Sequence, residues 1–544
     1  MTSRSLGHRA PLLWVLLPLM AGLVGGKLQW LPLSPVWLAG AGVLFIAAAL
    51  SWQRIWALGI VAGVFLSGVA YYELSRARLS EWDTLPPREV RVTLSVDRLF
   101  PPQPGMRSVS GLGRLMDADA HLKDLVGQRV YFSLTPKPGE APPIRSAQLE
   151  VTGVLQSLPR DPAIDTFEGY LANQGTNFTL TRARITGGVV AADAYHRFCD
   201  SALQRFNAIL GHGISKHEKE SGVLRAMLLG QQQELSDEQK GGFRESGTMH
   251  LFSVSGLHIA VIAAVITGLL TFMRLPSLAR FVVGGILLWL YVDITGGTPS
   301  AVRAWVMVMF LHASYVLRVP GNPIAGLVAS AVCVLVIAPL QLFTASFQLS
   351  YGIVAALLML GLPLGDKLCE KGALFTLLPK VTWRWYHHWI NAVAQKLLSL
   401  LAIGLATTVV STISGVVIFQ LFTPVSLLAN LVLIPVGSLV IISGFLSLLC
   451  GLVGFSAGAL VLNHASVLLL KAVDHGVNFF VSVPGASHAA VFSPAWLGFT
   501  ALAGLLGVIF YGYAVNWENK RGGYWLPFAY TTLVLAVGMR FSAA

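Results

Sequence analysis

Charged residues are scarce in this sequence. Only 12% of its 544 residues are Asp, Glu, Lys or Arg, whereas 54% are hydrophobic, and the mean hydropathy is +0.66. Soluble domains carry about a quarter charged residues. The shortage of charge excludes an ordinary soluble protein and predicts a polytopic α-helical integral membrane protein. Its net charge of +12 fits either the usual excess of cytoplasmic Lys and Arg or an anionic substrate.

Cysteine is also rare, and several catalytic motifs are missing. The four cysteines are scattered without a CxxC spacing, so neither a zinc site nor a disulfide framework is expected. The sequence contains no Walker A loop, no HExxH helix and no GxSxG nucleophile elbow. We therefore expect no cofactor, no metal and no catalytic residue, and any ATP-driven motor would be a separate protein.

Apolar runs divide the chain into four regions. Residues 1–75 hold three apolar runs, residues 76–190 hold none, residues 191–248 are amphipathic, and residues 249–544 are again apolar. Because about 20 apolar residues span a bilayer, we predict about 10 to 13 membrane helices, with the amphipathic segment lying at the membrane surface. The predicted spans are 11–26, 33–50, 55–72, 249–272, 281–294, 300–317, 323–339, 342–361, 397–419, 424–452, 456–483, 496–514 and 524–541.

The region from 76 to 190 has the texture of a small β domain. Short stretches that alternate polar and apolar residues, such as REVRVTLSVDRL and AQLEVTGVLQSL, are bounded by Pro or Gly. About five such strands in 100 residues predict a small β-barrel inserted between membrane segments. Residues 76–184 carry 14 Lys or Arg against 12 Asp or Glu. This weak charge bias leaves single-strand binding and a role as an assembly platform both open.

Basic residues in the short loops predict the orientation. Arg4, Arg9, Arg54 and Arg318, with Arg274 and Arg280, all fall on one side if the N-terminus is cytoplasmic, and so do the Lys and Arg residues that follow residue 361. Since cytoplasmic loops are enriched in Lys and Arg, we expect a multi-pass protein with a cytoplasmic N-terminus and with the β domain outside, in a periplasm or its equivalent.

Polar side chains within the apolar runs mark candidate functional positions, because unpaired polar groups are costly in hydrocarbon. The first cluster is the stretch HLFSVSGLH, with His250, Ser253, Ser255, Gly256 and His258. On a helix, Ser255 and His258 share one face, His250 and Ser253 share the next, and the glycine permits close approach of another backbone. Three interpretations remain: hydrogen bonds between helices, a hydrated path or gate, and a catalytic Ser–His pair.

A second cluster surrounds Arg303. Thr298 is a good N-cap and Pro299 a good first helical residue, so a positive helix end lies close to an intramembrane arginine. Such an arginine indicates a functional site that favours anions. The alternatives are a structural ion pair of Arg303 with Asp293 and a side chain that reaches the membrane surface.

Two further polar clusters lie in later apolar runs. Gln348 and Ser350 belong to TASFQLSYG, and Asn430 lies five residues before Pro435 in LLANLVLIPVGSLV. Asn430 would satisfy the carbonyl that a proline frees, or it would line a pathway at a discontinuous helix.

These stretches together carry a family resemblance. The succession MLLGQQQELSDEQ, FRESGTMHLFSVSGLHIAV, TGGTPSAVRAWVM, ASFQLSYG and LLANLVLIPVGSLV resembles the ComEC family of competence proteins over roughly residues 222–515. The stretch DPAIDTFEGYLANQGTNFTL is similar to the end of the family's external OB-like module. The resemblance implies an inner-membrane channel that takes up single-stranded DNA during natural transformation. It also implies a cytoplasmic motor or helicase and periplasmic DNA receptors as partners.

One departure from the family and two competing functions bear on that expectation. Many members continue into a metallo-β-lactamase-like domain with an HxDxDH signature, which does not occur here, so we expect no nuclease activity in this polypeptide. An ion-coupled transporter of a smaller anionic or lipid-linked substrate would use paired carboxylates, for which Asp293 and Asp474 are the candidates. A membrane hydrolase would use Ser255 and His258.

Overall fold

The computed structural model describes most of the chain. It covers residues 10–51, 56–77, 79, 82–83, 85–101, 108–137, 142–160, 162, 166–215, 218–317, 322–375, 378–517 and 523–541. The loop arginines Arg4, Arg9, Arg54 and Arg318 lie outside the described residues. The remaining elements form an N-terminal helical group, a β-barrel, a connecting helical segment and a C-terminal helical region.

The three N-terminal helices match the three opening apolar runs. They are α1 (Leu13–Lys27), α2 (Pro35–Ser51) and α3 (Trp56–Ser75). Helices α2 and α3 approach closely at small residues: a Cβ added to Gly63 would lie only 2.7 Å from the Gly42 carbonyl oxygen. Small residues at a contact let helix backbones approach closely, which stabilises packing in lipid.

The predicted β domain is a closed five-stranded barrel. The strand order is β1-β2-β3-β5-β4, with β3 and β5 parallel and the other described pairs antiparallel. Alternate residues point inward, so Val130, Phe132 and Leu134 of β3 are all fully buried. The bounds are β1 (Arg88–Leu99), β2 (Val109–Ala118), β3 (Arg129–Leu134), β4 (Gln148–Ser157) and β5 (Phe178–Val190), with α4 (Phe167–Asn173) before the last strand.

Strand β2 has glycines where side chains would collide with β1. A Cβ on Gly111 would lie 2.2 Å from the Arg98 carbonyl oxygen, and one on Gly113 would lie 2.6 Å from that of Ser95. The β1–β2 register also shifts twice, between Thr93 and Leu94 and again before Arg98. The strand therefore lacks a clear alternating pattern, because glycine permits the tight curvature that closes the barrel.

Three helices connect the barrel to the C-terminal region: α5 (Ala194–Leu210), α6 (Lys219–Leu229) and α7 (Asp237–Glu245). Helix α5 is amphipathic, with Cys199, Phe206 and Leu210 as its buried residues. In contrast, α6 is buried from Ser221 to Leu229 except for the half-buried Arg225. The predicted surface position therefore does not describe α6, whose small and apolar residues pack against later helices.

The C-terminal region contains a helix for each of the ten predicted spans. In the described part of the whole chain, seven helices are long and apolar enough to cross a membrane, and five are shorter apolar helices. Of these, α3 among the seven and α1 and α2 among the five belong to the N-terminal group. The bounds are α8 (Gly256–Phe272), α9 (Ser277–Ile294), α10 (Pro299–Val316), α11 (Pro323–Ile337), α12 (Ala345–Ala356), α13 (Leu362–Lys371), α14 (Trp385–Phe419), α15 (Ser426–Leu452), α16 (Ser456–Val481), α17 (Ala495–Val515) and α18 (Leu526–Gly538). A π-helical turn, Leu357–Gly361, joins α12 to α13.

Two hydrophobic cores divide these helices. The first is formed by α5–α10 with α15 and α16, and the second by α1, α11, α12, α14 and α17, with α18 packed against it. A small sheet of β6 (Leu421–Phe422), β7 (His488–Phe492) and β8 (Met539–Phe541) lies beside the second core. The boundary between the two cores runs between α10 and α12, where the sequence places polar residues.

Candidate functional site

The HLFSVSGLH stretch is mostly not α-helical. Met249–Phe252 form one 3-10 turn, Ser253 is extended, and α8 begins only at Gly256. His250 is exposed and Ser253 half-buried. The expectation of a continuous helix from 249 is therefore wrong, because Ser255 takes the N-cap position and ends the preceding irregular segment.

Ser255 and His258 form a contact at the start of α8. The Ser255 hydroxyl lies 2.8 Å from His258 Nδ1, and the Ser255 amide nitrogen lies 3.4 Å from the same atom. Because Nδ1 accepts from the backbone, the neutral ring carries its proton on Nε2. This Nε2 is buried, and no acceptor among the described residues reaches it.

The geometry gives no support to a catalytic Ser–His pair. In such a pair, one ring nitrogen takes the serine proton and the other donates to a carboxylate. Here Nδ1 also caps the backbone, and Nε2 meets no carboxylate in the described part of the chain. The expected close approach at Gly256 is also absent, since an added Cβ would meet nothing nearer than Ala304 Cβ at 3.9 Å.

Arg303 is the most deeply buried charged side chain among the described residues, with 1% of its surface exposed. It lies in the second turn of α10, at the boundary between the two hydrophobic cores. Its guanidinium donates to Gln341 Oε1 at 2.8 Å, to the Ser346 carbonyl oxygen at 2.8 Å and to Ser350 Oγ at 3.1 Å. These acceptors lie in α12 and in the turn Pro339–Phe343 before it, so Arg303 joins α10 to α12.

The charge of Arg303 has no carboxylate partner. Among the described residues, no Asp or Glu lies within ion-pair distance of its guanidinium, and Nε has no acceptor. The nearby Tyr351 hydroxyl is also buried without a described partner. A permanently charged group is therefore held by uncharged acceptors alone, which leaves its charge uncompensated.

Asp293, the expected alternative partner, binds the β-barrel instead. Its Oδ1 lies 2.7 Å from an Arg145 guanidinium nitrogen, which also donates to the Asp293 carbonyl oxygen at 3.2 Å. Next to this pair, Ser146 donates to Asp193, the N-cap of α5, at 3.0 Å. Hydrogen bonds from the His196 backbone and side chain, then from Ser146, lower the pKa of Asp193 to about 2. The alternative of a structural Arg303–Asp293 ion pair is therefore excluded, and Asp293 and Asp193 both contact the barrel region.

Comparison with known proteins identifies the family. The model of the competence protein family matches residues 227–514, slightly more than half of the chain. The chain belongs to the competence protein family. The candidate residues predicted from the sequence, from His250 to Pro435, all lie within the matched part.

Two curated relatives are similar to part of the chain. The chain is 29% identical over 142 residues to ComE operon protein 3 of Bacillus subtilis (strain 168), which is 26% of this chain and 18% of that protein. It is 26% identical over 225 residues to the uncharacterized protein YcaI of Escherichia coli (strain K12), which is 40% of this chain and 27% of that protein. The chain thus matches less than a third of either relative's length. No solved structure matches it.

The remaining candidates of the competence-family region have local structural roles or no visible partner. Gln348 donates to the Leu342 carbonyl oxygen at 3.2 Å and so braces the turn before α12. Helix α15 runs without a break through Pro435, so the expected discontinuous helix is not found. Asn430 Oδ1 is buried, and no donor among the described residues reaches it. Thr298 occupies the N-cap of α10, but its side chain caps no backbone amide and lies 3.3 Å from Ser300 Oγ.

Of the residues that hold Arg303 and Asp293, sequence reasoning singled out only Ser350. Ser346 lies four residues before Ser350 on the same face of α12, a spacing that could have been noticed, whereas Gln341 and Arg145 had no local signal. Asp474, the other candidate carboxylate, lies far along the chain in a small surface pocket beside Lys219 and Gln239. The two carboxylates therefore have different surroundings.

Proposed function

We propose that this competence-family protein forms a passage through which single-stranded DNA crosses a bacterial inner membrane during natural transformation. A cytoplasmic motor or helicase would pull the strand, and periplasmic receptor proteins would deliver it. The family assignment and the many apolar helices support this role. The observation that carries the proposal is the uncompensated guanidinium of Arg303 at the boundary between two helical cores.

The physical argument rests on the cost of burying charge. Burying a cation without an anionic partner costs free energy unless other groups compensate its charge. Around Arg303, only uncharged groups accept hydrogen bonds from the guanidinium. A nucleic-acid strand brings one negative charge per nucleotide. A phosphate near Arg303 would therefore replace neutral acceptors with a charge-assisted partner, which forms the stronger hydrogen bond.

The same contacts describe how the passage would be closed. Arg303 joins α10 of the first core to α12 and its preceding turn in the second core. Passage of a strand along this boundary requires these helices to separate and the guanidinium to exchange its partners. In this proposal Arg303 clamps the closed state and then contacts phosphates in the open state.

Uptake of labelled DNA into the cytoplasm, scored at matched membrane abundance, tests the proposal. Arg303→Ala should abolish cytoplasmic entry while DNA still reaches the periplasm, and Arg303→Lys should keep part of the activity because it keeps the charge. Arg280→Ala is the control, since Arg280 is a helix arginine whose described contact is with Thr271 at the other end of the helices. Normal uptake by Arg303→Ala would refute the role of Arg303.

The proposed orientation has a separate test. With the four native cysteines replaced, Ser108→Cys in the barrel should react with a membrane-impermeant thiol reagent added outside the cell. Ala373→Cys, in the loop after α13, should react only after the membrane is opened. The opposite labelling pattern would place the barrel in the cytoplasm and would contradict delivery of DNA from the periplasm.

A further inference from the structure

Helix α14 is longer than a bilayer is thick. Trp385–Phe419 form one continuous helix of 35 residues, which is about 52 Å long at a rise of about 1.5 Å per residue. A bilayer is about 30 Å thick across its hydrocarbon core and about 40–45 Å thick with its headgroups. Residues 397–419 contain no charged residue and are enough to cross the core. Residues 385–396, the α14 extension, therefore lie beyond the edge of the hydrocarbon.

The α14 extension exposes one apolar, aromatic face. Trp385 and Trp389 are 79% and 64% exposed, and Ile390 and Val393 beside them are also exposed. Trp385, Trp389 and Val393 recur every four residues, so they lie on one side of the helix. The face continues into Leu397, which is exposed at the start of the membrane-crossing part. The aromatic face is therefore continuous with a surface that meets lipid.

The opposite face of the α14 extension is held by α13 and the residues after it. Gln395 donates to the Cys369 carbonyl oxygen at 2.9 Å, and Asn391 accepts a hydrogen bond from the Leu374 amide at 3.2 Å. A helix that is hydrogen-bonded along one side cannot rotate about its axis without leaving those polar groups unsatisfied. The fold therefore fixes the direction in which the aromatic face points.

Basic residues flank the aromatic face. Lys380 and Arg384 precede the helix, and Lys396 lies two turns after Trp389 on the same side. All three basic side chains are exposed, and none has an ion-pair partner among the described residues. Residues 366–396 hold five Lys or Arg against two Asp or Glu. The exposed tryptophans therefore have positively charged surroundings.

These features match the headgroup layer of a bilayer. Tryptophan is enriched there because its ring is apolar and its N–H group is polar, and Lys and Arg beside a membrane attract anionic headgroups. A nucleic-acid strand would use rings and positive charge, but not the aliphatic Ile390 and Val393 that join the rings to the lipid-facing surface. A tilt of about 30° keeps the whole of α14 within the bilayer and its headgroups, and membrane helices tilt by about 0–40°.

We propose that the α14 extension lies in the headgroup layer and binds anionic lipid through Lys380, Arg384 and Lys396. The rings of Trp385 and Trp389 lie at the boundary between headgroups and acyl chains, and the three cations contact headgroup phosphates. In the proposed orientation this layer is the cytoplasmic leaflet. The lipid contact itself depends neither on that orientation nor on DNA transport.

The depth of the aromatic face gives the first test. With the four native cysteines replaced, Trp389→Cys carries a fluorophore, and the full chain is placed in nanodiscs of phosphatidylcholine and phosphatidylglycerol. A nitroxide on the lipid headgroup should quench this fluorophore, and iodide in the water should not. Arg91→Cys, at an exposed position of the barrel, is the control that iodide should quench. Quenching at position 389 by iodide and not by the nitroxide would overturn the proposal.

The basic residues have their own readout, the binding of a fluorescent phosphatidylglycerol to the full chain in detergent. The double variant Lys380→Gln with Arg384→Gln should raise Kd by roughly fivefold to thirtyfold, since one basic residue near an anionic surface contributes about fivefold. Arg184→Gln with Arg197→Gln, which removes the same charge from exposed positions of β5 and α5, should leave Kd unchanged. An unchanged Kd in the first variant, or an equal loss of phosphatidylcholine binding, would refute recognition of the anionic headgroup.

Photo-crosslinking separates the bilayer from other occupants of the aromatic face. A photoreactive phenylalanine at position 389 should form an adduct with lipid when the protein in nanodiscs is irradiated in the presence of oligo-dT. An adduct with the oligonucleotide in place of lipid would show a nucleic-acid surface. An adduct with another protein in place of lipid, after irradiation of cells, would show a protein-docking site. Either result would overturn the proposal.

Discussion

The outside of the β-barrel and the membrane helices hold their arginines in different ways. On the barrel, Arg91 pairs with Glu150 and Arg160 with Asp83, and the arginine side chains are 61% and 60% exposed. In the helices, Arg303 is 1% exposed and is held by uncharged groups from a segment about 40 residues away in sequence. The junction pair of Arg145 and Asp293 lies between these extremes, with side chains 25% and 7% exposed.

The difference shows where polar contacts determine the structure. Water solvates an exposed arginine whether or not it is paired, so exposed ion pairs contribute little to stability. A buried group has no such alternative, and removing one partner leaves the others desolvated and unsatisfied. The contribution of each contact should therefore rise with burial from the barrel surface to the α10–α12 boundary.

The largest effect is expected for Arg303→Met. The change leaves Gln341, Ser346 and Ser350 without their donor and should lower the free energy of unfolding by about 3 kcal/mol. Chemical unfolding of the detergent-solubilised protein measures it, with Arg280→Met as the control. If both variants unfold alike, Arg303 does not clamp the two cores.

The junction pair should give the next effect. In a double-mutant cycle of Arg145→Ala and Asp293→Asn, we expect a coupling energy of about 2 kcal/mol, because the pair is mostly buried. Either single variant should also make the barrel more accessible to a protease added outside. A coupling near zero would mean that other contacts hold the barrel in place.

The cap of α8 should have a smaller effect on stability. Ser255→Ala should cost about 1 kcal/mol, the usual cost of losing an N-cap serine, and DNA uptake should persist. Under the interpretation of HLFSVSGLH as the lining of a hydrated path, His258→Leu should leave the protein inserted but block uptake, because the change removes the buried Nε2 hydrogen-bond donor. Thermal unfolding and uptake assays measure the two effects. Complete loss of function in Ser255→Ala would instead revive the hydrolase hypothesis.

The smallest effect is expected at the barrel surface. Arg91→Ala should change the free energy of unfolding by less than about 0.5 kcal/mol, since Arg91 is 61% exposed and its partner is also solvated. Urea titration at low and high salt measures this value. A loss as large as that of Arg303→Met would show that exposure does not set the order of these contacts.

Much of the fold follows from patterns that are local in the sequence. The apolar runs predict the three N-terminal helices and the ten C-terminal helices, and period-two alternation predicts β1, β3, β4 and β5 to within a few residues. The sequence pattern does not predict β2, because Gly111 and Gly113 interrupt its alternation of polar and apolar residues. These glycines allow close contact with β1. The boundary at α8 was misplaced because Ser255 caps a helix within a run that is apolar on both sides.

The candidate site likewise combines a contact that is local in the sequence with contacts between distant segments. Ser255 and His258 are three residues apart, so helical geometry alone brings them together, and their proximity was predictable. The partner of Arg303 was not predictable from the sequence, because Asp293 is nearer in sequence than Gln341 and carries the complementary charge. Asp293 pairs with Arg145, which lies 148 residues earlier in the chain.

Composition and periodicity alone determined that this protein is a membrane protein of many helices with an inserted barrel, since hydrophobic burial acts on each segment separately. Tertiary structure decided which carboxylate binds the barrel and which groups surround Arg303. Those contacts join residues from distant segments, and their directional geometry is fixed only when the segments have packed.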